Sequence, residues 1–169
     1  YTYSLNGSAP VLYDGYPLIE TISGLSPGVY TINIFDTNFC AYSGNAITQP
    51  ITQPTAITVS STTTNVSCNG ASDGTATVNV GGGTPGYSYS WNTTPVQTTV
   101  TATALAAGTY VCTITDTNLC PTTHSVTITE PTAITVSSTS TNVSCNGASD
   151  GTATVNVGGG TPGYSYSWN

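Results

Sequence analysis

The feature that most constrains the fold is an internal repeat. Residues 131–169 reproduce residues 54–92 with one change, Ser140 in place of Thr63, so that 38 of 39 positions are identical. The offset between the two copies is 77 residues. A fixed period of this kind indicates a tandem array, in which one structural unit recurs along the chain. The fold of the chain therefore reduces largely to the fold of one unit.

A diverged copy precedes the two near-identical ones. GVYTINIFDTNFC (28–40) aligns with GTYVCTITDTNLC (108–120), and YTYSLN at the start aligns with YSYSWN (87–92). We therefore predict three parts and expect them to be a window on a longer array. The parts are the C-terminal part of a diverged repeat (1–53), one complete repeat (54–130) and the N-terminal part of the next repeat (131–169).

Composition excludes several classes of partner. The chain has no Lys or Arg and a formal net charge of −7. Nucleic-acid affinity rests mainly on Lys and Arg, so we expect no nucleic-acid partner. Polybasic attraction to anionic lipids is absent for the same reason. No apolar run approaches the length of a membrane span, so we expect no membrane insertion.

Alternating apolar and polar residues predict an all-β fold. Segments such as TATVNV, YSYSW and SVTIT have the period of a β-strand, and clusters rich in Gly, Pro and Asn separate them. We predict an extended array of tandem immunoglobulin/fibronectin-III-like β-sandwich repeats. The seven strands of the complete repeat are placed at 56–66, 74–80, 87–92, 96–99, 100–105, 109–116 and 123–129.

The strand at 87–92 carries three aromatic residues on one face. Tyr87, Tyr89 and Trp91 alternate with serines. One interpretation is a platform that stacks on sugars. Core packing is favoured, because the three rings share one face of a central strand and Trp91 takes the place of the buried tryptophan of such sandwiches.

The segment GTYVC (108–112) has the pattern of the sixth strand of an immunoglobulin domain. Tyr110 is the predicted tyrosine-corner residue. Cys112 has no cysteine opposite it in the strand at 74–80, so we predict a buried free thiol that behaves as a small apolar residue. A catalytic dyad with His124, the only histidine, is disfavoured because the diverged copy has no equivalent of it. We predict no catalytic residues, no cofactor and no enzyme activity.

Four further cysteines recur by position and indicate structural disulfides formed in an oxidising location. Three pairings are open. One is Cys68–Cys120 within the unit, but alternating strands place these two turns at opposite ends, some 25 Å apart. The second is a staple from the turn of Cys68 to the turn after the sixth strand of the following unit. The third is Cys120–Cys145 with Cys40–Cys68.

Three carboxylates near the ends of the unit are weak calcium candidates: Asp73, Asp116 and Glu130. Asp before or near Gly is also common in tight turns, and we favour this role in turn formation over calcium binding. We therefore predict no metal site.

The repeat resembles a known family. The run SCNGASDGTATVNVGGGTPGYSYSWN, followed by LAAGTY, TDTNLC and TITEP, is similar to the SprB repeat of Bacteroidota cell-surface proteins. The resemblance covers 54–130 and 131–169, and 1–53 more loosely. It implies secretion through the type IX system and display in very long adhesins, of which the best-known form mobile filaments used in gliding motility.

We therefore predict structural spacer repeats of an extracellular adhesin filament. Their partners are the neighbouring repeats, with surface glycans or other cell-surface proteins as further candidates. The alternative is an immunoglobulin-like module that binds carbohydrate or protein. The diverged copy is the better candidate for such binding, because Tyr13 and Tyr16 lie in an extra segment, VLYDGYPLIE (11–20). A longer hairpin explains that segment equally simply and is favoured.

Overall fold

The structure is a computed structural model, and it describes residues 2–6, 11–12, 21–36, 38–41 and 47–169. The chain divides into two compact units, Tyr1–Pro54 and Thr55–Asn169. Every element of regular structure in the described residues is a β-strand, which confirms the predicted all-β class. The same residues include no helix with the length and apolar character required to cross a bilayer.

The first unit contains one antiparallel sheet. Its strands are β1 (Thr2–Leu5), β2 (Val11–Leu12), β3 (Gly28–Phe35) and β4 (Ile47–Ile51), in the order β2-β1-β3-β4. The segment that carries Tyr13 and Tyr16 lies outside the described residues, so the favoured longer hairpin and the alternative of a binding site there both stay predictions.

The second unit begins with a β-sandwich of two three-stranded sheets. One sheet has the order β5-β6-β8 and the other β10-β9-β7, and every pairing within them is antiparallel. This is the distribution of strands found in immunoglobulin-like sandwiches. The strands are β5 (Thr58–Thr64), β6 (Gly74–Gly81), β7 (Ser88–Trp91), β8 (Thr101–Leu105), β9 (Gly108–Thr115) and β10 (Pro121–Ile128).

The hydrophobic core lies between these two sheets. The alternation of side chains along each strand determines which residues belong to the core, because every second residue of a strand faces the opposite sheet. In β6, for example, Ala76 and Val78 are buried while the threonines beside them are only partly covered. The ten buried apolar residues are Val66, Ala76, Val78, Trp91, Ala102, Leu105, Cys112, Ile114, Val126 and Ile128.

The strand predicted at 96–99 is wrong. The described segment 92–100 contains no strand, so the sandwich has six strands and not seven. Hydrogen bonds hold the segment instead: the Trp91 N–H donates to Gln97 O (2.9 Å), and the Gln97 side chain pairs with the backbone of Thr103 in both directions (2.9 Å each). Pro95, directly before residues 96–99, lacks the N–H with which a strand could begin its ladder.

A β-hairpin follows the sandwich within the second unit. It consists of β11 (Thr135–Thr141) and β12 (Thr152–Gly158), and residues 159–169 after it contain no strand. The pairing Thr135↔Gly158 corresponds to Thr58↔Gly81 in the complete repeat, and this register is kept along the whole hairpin. Identical sequence has therefore produced an identical hairpin.

Candidate functional site

The sandwich has two ends, each formed by its own set of loops, and we call them the linker pole and the distal pole. The linker pole consists of the turn 65–73 and the residues 129–131 that leave the sandwich. The distal pole consists of the turns 82–87 and 116–120. Strand β10 runs from the distal pole to the linker pole, which are separated by about 25 Å for a strand of this length.

Hydrogen bonds at the linker pole hold the chain where it leaves the repeat. The Asn69 amide donates to Pro131 O (3.1 Å), and the Gly70 N–H donates to the Glu130 carboxylate (2.7 Å). The Thr129 N–H donates to the Asn65 side chain (3.0 Å). We name these six residues together the linker clamp: Asn65, Asn69, Gly70, Thr129, Glu130 and Pro131.

The turn that forms one half of the linker clamp is built by Asp73. Its carboxylate accepts a hydrogen bond from the Ser67 N–H (3.0 Å), and the Ala71 N–H donates to Cys68 O (3.1 Å). Hydrogen bonds from the Ser67 side chain and backbone lower the pKa of Asp73. The run Cys-Asn-Gly-x-x-Asp-Gly is thus a turn whose closing aspartate leaves Asn69 and Gly70 directed at the linker.

The same turn forms in the hairpin of residues 131–169. The Ser144 N–H donates to Asp150 (3.0 Å) and the Ala148 N–H to Cys145 O (3.1 Å). The pKa of Asp150 is lowered, again chiefly by hydrogen bonds from Ser144. Because this turn forms in both copies, the local sequence is sufficient to build it before the rest of a sandwich is present.

The distal pole is organised by Asp116, which is 4% exposed. One carboxylate oxygen accepts hydrogen bonds from the N–H groups of Asn118 and Cys120 (2.9 Å each), and the other accepts one from the Thr84 N–H (3.0 Å). These bonds lower the pKa of Asp116, and the bond from Thr84 has the largest effect on it. One buried carboxylate therefore ties the turn before β7 to the turn before β10.

The turn that follows β9 has the same form after β3 of the diverged copy. Asp36 accepts hydrogen bonds from the N–H groups of Asn38 and Cys40 (2.8 Å each). At the tip, Phe39 and Leu119 adopt left-handed backbone angles, with φ of 60° and 62°. Both side chains are largely exposed, at 72% and 81%. Each copy thus presents one large apolar side chain at this tip.

The calcium candidates do not converge. Asp73 and Glu130 lie at the linker pole, and Asp116 lies at the distal pole. Each accepts a backbone N–H, as a carboxylate that shapes a turn does. Among the described residues, no group of three His, Cys, Asp or Glu side chains is placed to hold a metal ion.

All five cysteines are free thiols in the structure. Cys68 lies in the turn of the linker pole and Cys120 precedes β10 at the distal pole, so the length of the sandwich separates them. Cys145 is likewise unpaired. The staple between successive repeats stays a prediction, because its partners lie in neighbouring repeats.

Of the predicted core residues, Trp91 and Cys112 are buried between the sheets, whereas Tyr110 is only partly buried and packs against the core. Trp91 is 1% exposed, and its indole N–H donates to Thr99 O (2.9 Å). The Tyr110 hydroxyl donates to Ala106 O (3.1 Å), four residues upstream, which is the geometry of a tyrosine corner. Tyr30 makes the same bond to Ser26 O (2.8 Å) in the diverged copy. The rings Tyr87 and Tyr89 pack against the core.

Cys112 is buried beside Ile114 in β9, and burial raises the pKa of its thiol. His124 is its neighbour across the strand pair, yet the histidine Nε2 atom lies 3.0 Å from Ser61 Oγ of β5. A thiol with a raised pKa is a poor nucleophile. The histidine instead joins the edges of the two sheets.

Sequence reasoning missed the linker clamp. Its hydrogen bonds join residues about sixty positions apart, and neither asparagine carries a signal that distinguishes a clamp from an ordinary turn. The recurrence of Asn-Gly at 69–70 and 146–147, together with Glu130-Pro131, was the available clue.

Comparison with known proteins finds that two segments of the chain match a family of repeats. The SprB repeat family matches residues 60–95 and 137–169, which agrees with the resemblance seen in the sequence. SprB repeats are structural repeats of cell-surface adhesins and are not an enzyme family. No curated protein and no solved structure matches the chain.

Proposed function

We propose that this chain, two segments of which match the SprB repeat family, is a run of structural spacers in a long secreted adhesin filament of the gliding-motility type. The observation that carries the proposal is the position at which the chain enters and leaves the complete repeat. It enters at the distal pole, where the Gly83 N–H donates to Thr55 O (2.8 Å), and leaves at the linker pole through the linker clamp. Each repeat therefore adds its full strand length to an array.

The complete repeat buries its apolar residues within its own two sheets, which supports the role of an independently folded unit. The apolar residues of the complete repeat are covered by its own two sheets, so the repeat does not need a neighbour to bury them. In arrays of such units, length grows in proportion to copy number. Near-identical copies suit this role, because a spacer need not differ from its neighbours.

Tension along the array loads the strands in a resistant direction. Because the chain enters at one pole and leaves at the other, a pull on both ends shears β5 against β10. These strands are in contact through His124 and Ser61, and the Val66 N–H donates to Thr129 O (3.2 Å) where they end. Shear requires several contacts to break together, whereas peeling breaks them one at a time.

The linker clamp should also stiffen the junction. Three hydrogen bonds fix residues 129–131 to the turn of the preceding sandwich, and Pro131 restricts the backbone at that point. Few residues between successive repeats therefore remain free to bend. We further propose that Cys68 forms a disulfide with the equivalent of Cys120 in the following repeat, which would close the junction covalently in an oxidising location.

Export by the type IX system and display at the cell surface are part of this proposal. They are supported by the family of the repeats and by cysteines at both poles. Binding of surface glycans or other surface proteins would then fall to other parts of the adhesin. A glycan array probed with the full chain tests the alternative of a carbohydrate-binding module, and specific retention of a glycan would favour that alternative.

Force spectroscopy on tandem arrays of residues 54–130 tests the proposed stiffness of the junction between repeats. Replacing Asn69 by Ala removes a hydrogen bond of the linker clamp, and replacing Asn79 by Ala changes the same residue type at an exposed position of β6. We expect Asn69→Ala to shorten the persistence length of the array and Asn79→Ala to leave it unchanged. Equal persistence lengths for the two variants would count against the clamp as a stiffening device.

A further inference from the structure

The linker clamp contains an Asn-Gly pair, the dipeptide in which an asparagine side chain is most open to attack by the main chain. Asn69 and Gly70 are both exposed, and Gly70 has a φ of 76°. Because glycine has no Cβ, nothing on the second residue hinders the approach of its nitrogen to the side-chain amide carbon of the first. The pair is therefore a candidate site of deamidation.

Deamidation of this pair uses only groups of the chain and water. The Gly70 nitrogen loses its proton and bonds to Cγ of Asn69, and the bond from Cγ to Nδ2 breaks. The leaving nitrogen takes up a proton and departs as ammonia, which leaves a cyclic succinimide. One water molecule then opens the ring at either carbonyl. The product is aspartate, or isoaspartate when the main chain is left running through Cγ.

The linker clamp opposes the first step of this reaction. The Gly70 N–H donates to the Glu130 carboxylate (2.7 Å). Loss of that proton would place a negatively charged nitrogen against a carboxylate, and a like charge nearby disfavours the ionised form. The Asn69 amide donates to Pro131 O (3.1 Å), which holds the side chain towards the linker. Both reacting groups are thus occupied while the clamp is closed.

We propose that Asn69 is a deamidation site that reacts only when the linker clamp opens, and that the reaction then keeps the clamp open. The modification would record each lasting opening of the junction between two repeats. The inference rests on the hydrogen bonds of the clamp and does not depend on the proposed function.

The product cannot rebuild the clamp. An ionised carboxylate only accepts hydrogen bonds, so an aspartate at position 69 has no proton to donate to Pro131 O. It also adds a negative charge next to Gly70, whose N–H binds Glu130, and the chain has no Lys or Arg to offset this repulsion. An isoaspartate lengthens the main chain by one carbon and displaces the Gly70 N–H as well.

The effect on the junction follows from two neighbouring carbonyl groups. Pro131 O is held by Asn69 of the sandwich, and Thr132 O accepts a hydrogen bond from the Gly160 N–H (2.7 Å) of the hairpin that follows. No residue lies between these two attachments. Loss of the bond from Asn69 releases one of them, so a single deamidation should convert a stiff junction into a hinge.

Mass spectrometry of the full chain measures the reaction at this site. After incubation at mildly alkaline pH with a reductant, cleavage before aspartates gives the peptides 36–72 and 116–149, which separates Asn69 from Asn146. An aspartate at position 69 creates a further cleavage point, whereas isoaspartate does not. We expect deamidation of Asn69 to be slower in the folded chain than in urea by a factor on the order of ten, as two modest hydrogen bonds would give.

Three variants test whether opening of the clamp limits the rate. Glu130→Ala frees the Gly70 N–H directly, and Asn65→Ala releases only the Thr129 N–H, away from the reacting atoms. Both should accelerate deamidation of Asn69 in the folded chain. Ser125→Ala changes an exposed residue of β10 outside the clamp and should have no effect. Circular dichroism verifies that each variant is folded.

Equal rates at Asn69 in the folded and the urea-unfolded chain would overturn the proposal. So would an unchanged rate in Asn65→Ala, because the glutamate would then shield the nitrogen without any need for the clamp to open.

Hydrogen exchange tests whether the product holds the clamp open. Asn69→Asp carries the aspartate product, and Asn69→Ala removes the same hydrogen bond without adding a charge. The N–H groups of Gly70 and Thr129 should exchange faster in both variants than in the unmodified chain, and at least as fast in Asn69→Asp as in Asn69→Ala. Unchanged protection of these two groups in Asn69→Asp would show that the clamp closes again after deamidation and would overturn the proposal.

Discussion

Trp91 and Trp168 occupy the same position in two copies of one sequence, yet Trp91 is 1% exposed and Trp168 is 63% exposed. Both follow the same tyrosines and serines, and both follow the same hairpin. The difference lies in the strand itself: pairing with β9 holds β7 in a sheet that packs against β5-β6-β8, whereas residues 164–168 form no strand. Burial in this protein is thus decided by long-range sheet packing and not by the local sequence.

The two tryptophans provide a matched pair of substitutions. Trp91→Ala should destabilise the complete repeat by about 3–5 kcal/mol, the usual cost of emptying a large aromatic site in a core. Trp168→Ala should leave the unfolding of the complete repeat unchanged, because Trp168 is not part of its core. Urea unfolding followed by circular dichroism compares them, and equal losses in the two variants would contradict the assigned core.

A second matched pair concerns two glycines with left-handed backbone angles. Gly82 and Gly70 have φ of 73° and 76°. A Cβ atom on Gly82 would lie 2.1 Å from Ala56 O, whereas nothing lies within 4 Å of one on Gly70. Gly70→Ala should therefore cost only the strain of the backbone angle, about 1–2 kcal/mol.

Gly82→Ala should cost clearly more than Gly70→Ala, because the main chain at Ala56 must also shift. Thermal unfolding of the two variants measures the difference. If both lower the melting temperature equally, the close approach between Gly82 and Ala56 is not maintained in solution.

The pKa of Asp116 predicts how stability depends on pH. Hydrogen bonds from Thr84, Cys120 and Asn118 hold this pKa below the ordinary value of 3.8 in the folded state. The carboxylate therefore stabilises the fold fully above pH 3.8, and this contribution is lost as the pH falls through the lower folded-state value. Asp73 and Asp150 have pKa values lowered in the same direction.

Asp116→Asn should lower the urea midpoint at neutral pH, because an amide N–H₂ would face the Thr84 N–H donor. The same substitution should have a smaller effect in acid, once the pH lies below the folded-state pKa of Asp116 and the carboxyl of the unmodified protein is protonated. A loss of stability that is the same at both pH values would show that the charge of Asp116 is not responsible.

The cysteines at the poles predict a crosslink in an array. In two tandem copies of residues 54–130 under oxidising conditions, Cys68 of the first copy should pair with Cys120 of the second. Peptide mapping without reduction should detect this disulfide, and Cys68→Ser in the first copy should abolish it. Cys68→Ser in the second copy is the control. A disulfide between Cys68 and Cys120 of the same copy would contradict the separation of the two poles.

Much of the fold could be predicted because strand alternation is strong in this sequence. The predicted strands at 74–80, 100–105 and 109–116 differ from the observed strands by one residue at most at each end. The predicted strand at 96–99 was wrong because a Pro-containing segment is held by the Gln97 side chain, and no periodicity reports such a bond. The linker clamp was missed for a related reason, since Asn69 and Pro131 meet only through the tertiary fold.

The most direct test of the spacer role is the length of an array as copies are added. Small-angle X-ray scattering on one, two and three tandem copies of residues 54–130 gives the maximum dimension of each. The account predicts an increase of about 35–40 Å per copy, from a strand length of about 25 Å and a short stiff linker. An increase that becomes smaller with each added copy, as for beads that fold back on one another, would contradict it.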